Sequence, residues 1–120
     1  MPFGCSAWKH IRVTERLRWR RQLHRVIEMS FLHALQQIIM DRKARPTPDS
    51  YTASLFAAGE DEIMKKIGEE AMEVILAAKS QGGERVISET ADLFYHVLVL
   101  LAERDLSLAQ VEAELERRHR

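Results

Sequence analysis

Lys66-Ile67-Gly68-Glu69-Glu70-Ala71-Met72-Glu73 and Glu89-Thr90-Ala91-Asp92 are the two stretches on which the fold turns. Each lies in a run of helical periodicity, and Gly82-Gly83 supplies a turn between them, so the two acidic faces meet across a helical hairpin. Carboxylates gathered in this way have the form of a divalent-cation site.

The first run extends from Glu60 to Ser80. At about 100° per residue, with Glu69 set to zero, Glu73 falls at about 40°, Lys66 at about 60° and Glu70 at about 100°. Ile63, Ile67, Ala71, Val74 and Ala78 fall between about 120° and 200°, which makes a core face beside an acidic one, with Glu70 on the border. Alone, such a face also fits ordinary solvated surface. The second run, Glu84 to Ala102, changes the balance. Its stripe of Val86, Ile87, Phe94, Val97, Leu98 and Leu101 is joined by Leu93, Tyr95, Val99 and Leu100, so its second half is apolar almost all round. A helix of that kind is buried on several sides, which in a chain this small points to another subunit as well as to its own core. Glu89 and Asp92 share one face, with His96 a turn beyond, and carboxylates beside so apolar a helix are costly unless a cation neutralises them.

Outward from the hairpin, Asp105-Leu106-Ser107 breaks the chain, and Ser107 with Gln110 has capping-box spacing for a last helix through Leu108, Val111 and Leu115. Upstream, Asp49 and Ser50 cap a short helix that Gly59 ends. Before it a helix begins at Ser30, with Phe31, Leu32, Leu35, Ile38 and Ile39 on its apolar face, and closes at Pro46 and Pro48. Its last turn holds Arg42, Lys43 and Arg45, placed either to bind an anion or to favour the helix C-terminus. No segment of useful length has strand period, so the expected fold is an all-α helical bundle.

The 120 residues suit one domain, 29–120, and the 46% hydrophobic and 30% charged content suits a globular protein. The zero net charge conceals an asymmetry. Residues 1–28 carry seven basic groups against Glu15 and Glu28, leaving an acidic remainder. With Trp8 and Trp19, that arm has the composition of a nucleic-acid binder, but it also reads as a mobile leader or a non-native extension ahead of a start at Met29. The second reading is the better one, and no nucleic-acid partner is expected. Cys5 stands alone, so an intrachain disulfide and a thiolate metal cluster are excluded and a reducing cytoplasm fits. No window reaches the length of a membrane span.

Carboxylates without a cysteine or a histidine pair select a hard cation, Mg²⁺ or Mn²⁺, which shares its coordination with water and substrate phosphate. The expected substrate is therefore a polyphosphate. Glu69, if not a ligand, can take the proton of an attacking water, and Lys65, Lys66, Arg42, Lys43 and Arg45 can hold phosphate oxygens. There is no Walker-type loop. His96 reads either as a hydrogen-bonded structural residue or as a group that meets the base.

Glu69-Glu70-x-x-Glu73 followed by Glu89-x-x-Asp92 resembles the metal signature of the all-α MazG-like nucleoside triphosphate pyrophosphohydrolases. Together with Ser50-Tyr51-Thr52-x-Ser54-Leu55, Lys65-Lys66-Ile67-Gly68 and Asp92-Leu93-x-Tyr95-His96, it resembles the phosphoribosyl-ATP pyrophosphohydrolase family of histidine biosynthesis, from about Phe31 to Glu116. The resemblance implies Mg²⁺-dependent hydrolysis of phosphoribosyl-ATP between its α and β phosphates. It also implies a homodimer or tetramer with sites near subunit contacts, and the stand-alone form without a fused cyclohydrolase. By resemblance Glu70, Glu73, Glu89 and Asp92 are metal ligands and Glu69 a ligand or base. Lys66, Arg42, Lys43 and Arg45 bind phosphate, and Tyr51 and His96 lie with the substrate. Two other readings share these residues: a house-cleaning pyrophosphohydrolase of ordinary or damaged nucleoside triphosphates, and a non-enzymatic helical interaction module.

Overall fold

The computed structural model describes residues 31–119, and among them every regular element is helical. The basic stretch 1–28 and the expected start at Met29 lie outside the described residues. The chain divides into two units, Met1–Ala34 and Leu35–Arg120. Of the first, residues 31–34 are described, and they are helical. The site lies wholly in the second. No helix among the described residues is long and apolar enough to cross a membrane.

Helix α1 covers residues 31–44 and stops before Pro46. Helix α2, Tyr51–Ala58, starts where the Ser50 side chain accepts from the Ala53 N–H, and it ends at Gly59. Helices α3, Glu60–Ser80, and α4, Gly83–Glu103, form the hairpin that carries most of the packing, with α2 laid against both. Gly82 makes the turn possible. Its φ of 89° and ψ of 171° belong to a region that is essentially glycine's alone. Helix α5, Leu108–Arg118, opens with the expected capping box of Ser107 and Gln110.

Polar side chains fasten α1 to the far end of the hairpin. Gln36, buried, accepts at 2.6 Å from the Leu108 N–H, one of the donors that the first turn of α5 leaves without a helical partner. Lys43 extends its ammonium to the Ala102 carbonyl at 2.8 Å and the Glu103 carbonyl at 3.3 Å, closing the C-terminus of α4. There Asp105 adopts a left-handed conformation with φ 55°. Its N–H reaches Ala102 and the next N–H, of Leu106, reaches Leu101, the paired bonds of a Schellman motif.

The elements fall where periodicity puts them, but their buried faces are turned. On α1 the expected stripe of Phe31, Leu35, Ile38 and Ile39 gives way to Gln36 and Ile39, and Ile38 is exposed. On α3, Ile63 and Ala77 are buried while Ala78 is exposed. The packed stripe is rotated toward the acidic residues, so Glu70 lies along the contact line. On α4 the buried residues are Glu89, His96, Leu98, Val99 and Ala102, whereas Ile87 is 72% and Phe94 52% exposed. The hairpin closes on its polar side near the turn, and much of the apolar stripe is left uncovered.

Candidate active site

The turn of the hairpin faces brings three of the four expected ligands together. Glu70 on α3 and Glu89 and Asp92 on α4 each offer a carboxylate oxygen, and these oxygens lie within 4.8 Å of one another. Glu89 is 6% exposed, Glu70 is partly buried and Asp92 is open to solvent. Glu73, the fourth, is one turn beyond Glu70 and partly buried, and it stands outside this group. Burial first, then the charge of Asp92 and a hydrogen bond to Glu89, pushes the Glu70 carboxyl above the usual carboxylate range. A centre that drives one of its own carboxyls toward protonation has negative charge to spare. Its donors are oxygen only, so the residues fit a hard divalent cation such as Mg²⁺ or Mn²⁺.

Glu69, next in sequence to Glu70, is not one of the three and pairs with lysines. Its Oε2 is 3.3 Å from Lys66 Nζ and its Oε1 is 3.9 Å from Lys65 Nζ. The hydrogen bond to Glu69 holds the Lys66 ammonium above its ordinary range, so it stays cationic throughout the neutral region. Glu69 and the two lysines thus form an ion-paired group of their own on the helix that carries Glu70.

His96, 4% exposed, resolves into a structural link that also touches the site. Its Nδ1–H donates to the backbone carbonyl of Asp92 at 2.7 Å, which leaves Nε2 to accept from the Tyr51 hydroxyl at 3.0 Å. The Tyr51 ring is stacked against Tyr95 at a centroid distance of 6.2 Å, and Tyr95 in turn bonds Thr52 through its hydroxyl. Burial holds the Tyr51 phenol above its ordinary range, with Lys66 acting in the opposite sense. Yet the residue as a whole remains 51% exposed and presents part of its ring to solvent beside the carboxylates. This aromatic group couples α2 to the acidic face of α4.

The basic cluster of α1 is engaged differently from its sequence reading. Lys43 caps α4 at residues ten positions beyond Asp92, about 15 Å along the helix, so the structure does not bring it to the carboxylates. Arg42 and Arg45 both pair with Asp41, and Arg45 holds that carboxyl below its usual range. Sequence reasoning also passed over Arg85, whose guanidinium donates to Glu89 Oε1 from one turn earlier on α4. The spacing of Arg85 and Glu89 at i,i+4 was the signal that could have found it.

Comparison with known proteins adds an independent line. A family model described as phosphoribosyl-ATP pyrophosphohydrolase matches residues 32–119. The phosphoribosyl-ATP pyrophosphatase of Geotalea daltonii is 52% identical over 87 residues, 72% of this chain and 82% of the relative. That of Lactiplantibacillus plantarum is 51% identical over 90 residues, 75% and 85% of the two chains. The histidine biosynthesis bifunctional protein HisIE of Gloeobacter violaceus is 54% identical over 84 residues, 70% of this chain and 38% of that longer protein.

Proposed function

Since the chain belongs to the phosphoribosyl-ATP pyrophosphohydrolase family and is an enzyme of that class, we propose that it hydrolyses the α–β anhydride of 1-(5-phosphoribosyl)-ATP. Water adds across the bond, and phosphoribosyl-AMP and pyrophosphate leave as the second step of histidine biosynthesis, in the cytoplasm. The observation that carries the reading is the convergence of Glu70, Glu89 and Asp92 inside the matched segment.

Mg²⁺ bound there, with Mn²⁺ as its substitute, would neutralise phosphate oxygens and stabilise charge on the leaving pyrophosphate. Glu70, Glu89 and Asp92 would hold it, with Glu73 supplying a further oxygen from the next turn of α3. Glu69 lies beside the centre on its own helix and is the residue we assign to accept the proton of the attacking water. Lys66, already bonded to Glu69, orients that carboxylate and can share a phosphate oxygen with Lys65. The exposed part of the Tyr51 ring, set by His96 and by Tyr95, offers a face on which a base can stack. Arg42 and Arg45, with side chains 41% and 83% exposed beyond Asp41, are left for the outer phosphate of the substrate.

The uncovered apolar residues of α3 and α4, among them Met72, Ile75, Ile87 and Phe94, fit a second copy of the chain, giving a homodimer or a pair of dimers. Pyrophosphate release from phosphoribosyl-ATP and from the common nucleoside triphosphates, each with and without Mg²⁺, tests the reaction. Mg²⁺-dependent turnover of phosphoribosyl-ATP alone is expected. Preferential turnover of ordinary triphosphates would replace this substrate with a house-cleaning one.

A further inference from the structure

The geometry points to Arg85 as a further phosphate-binding cation whose effect changes sign with the occupant of the site: it opposes a bare divalent ion and supports one that arrives with phosphate. The inference rests on the reading that the carboxylates hold a cation together with a polyphosphate. Glu89 is among the most deeply buried ionisable groups described, and a buried carboxylate needs a partner. Arg85 supplies one through its Nη2, while its Nε faces the Gln81 side chain at 3.4 Å. The guanidinium side chain is nevertheless 53% exposed, so it sits at the mouth of the centre with one edge on a ligand oxygen and the rest open.

Two consequences follow from that position. A positive charge bonded to Glu89 repels a divalent ion bound to the same carboxylate, and the ion must compete with Arg85 for Oε1 or share the group with it. A phosphate held by that ion, in contrast, comes within reach of the planar donor fork, which matches two phosphate oxygens as a point charge does not. Lys65 and Lys66 are held on Glu69, next in sequence to Glu70 on α3. Arg85 stands on α4, so both helices carry cations for a polyphosphate held at the centre. Once a phosphate takes the guanidinium, Glu89 is released to the metal, and the two ligands bind cooperatively.

The test uses the full chain and two probes, with no turnover required. Mn²⁺ is titrated calorimetrically into wild type, Arg85→Gln and Arg85→Lys; inorganic pyrophosphate is then titrated into each at saturating Mg²⁺. Arg85→Gln is expected to bind Mn²⁺ alone about threefold more tightly and pyrophosphate about tenfold more weakly. Arg85→Lys keeps the charge without the fork, and is expected to bind Mn²⁺ as wild type does while recovering only part of the pyrophosphate affinity. If Arg85→Gln weakened both, Arg85 would merely orient Glu89, and if it altered neither, the pair would be surface decoration; either result overturns the inference and leaves the enzymatic reading intact. Wild type that bound neither Mn²⁺ alone nor pyrophosphate in the presence of Mg²⁺ would overturn both.

Discussion

Glu70 shows most plainly what a residue's surroundings do to its chemistry. Its candidacy for the acidic cluster is legible in the spacing Glu69-Glu70-x-x-Glu73, and so is its place at the border of the core face. What spacing leaves open is which of four carboxylates lacks compensation. Glu89, the most buried, brings its own counter-ion in Arg85, whereas Glu70 has burial, Asp92 and Glu89 all acting against its charge. Its folded pKa lies above the ordinary 4.5, so between 4.5 and that raised value the folded chain keeps a proton the unfolded chain has lost. Stability without divalent ions should then be fully present below pH 4.5 and decline as pH rises through that window. Glu70→Gln is expected to raise the metal-free melting temperature at neutral pH and to flatten this slope. Thermal melts in chelator across pH 4 to 8 check it, and an unchanged slope would mean that Glu70 is not the strained member.

At the level of elements, the boundaries of the helices were readable because they are set locally. Ser50, Gly59, Gly82 and the Ser107–Gln110 box each act within a few residues of where they stand. The rotation of each helix about its axis was not, because it depends on what the helix meets. Gln36 in place of Ile38 and His96 in place of Phe94 reflect one fact: polar groups with partners on other helices compete for the inside. The partners of Lys43 were not legible either, since they are carbonyls 59 and 60 positions away in sequence. The end of α4 offers a clean test. Asp105 occupies a left-handed position that glycine takes without penalty, and its contact with Lys43 is at 3.4 Å and solvent-exposed. Asp105→Gly should stabilise the protein by about 0.5 kcal/mol in urea denaturation, the backbone gain exceeding the loss of an exposed ion pair. A loss of stability would show that the Lys43 contact matters more than its exposure suggests.

For the whole molecule, the outward apolar stripe of α4 is the feature that a lone copy leaves unexplained. If a second copy covers Ile87 and Phe94, then Phe94→Asp should shift the protein to monomer in sedimentation velocity, weakening association by about a hundredfold. Unchanged sedimentation would assign that face to another partner. The hairpin has a different consequence, in time rather than in space. Glu70 and Asp92 are 22 positions apart, so the acidic centre is assembled by closing one local loop and does not wait for α1 or α5 to dock. Contacts of short sequence separation form early on the path from the unfolded chain, which means that mutual repulsion of the carboxylates is met before most of the molecule exists. A divalent ion present during refolding would relieve it there. Stopped-flow refolding should accelerate with Mg²⁺ if the hairpin closes in the transition state, whereas an effect confined to the unfolding rate would place its closure late. On the first outcome, the ion proposed for the reaction would also hasten the making of the enzyme.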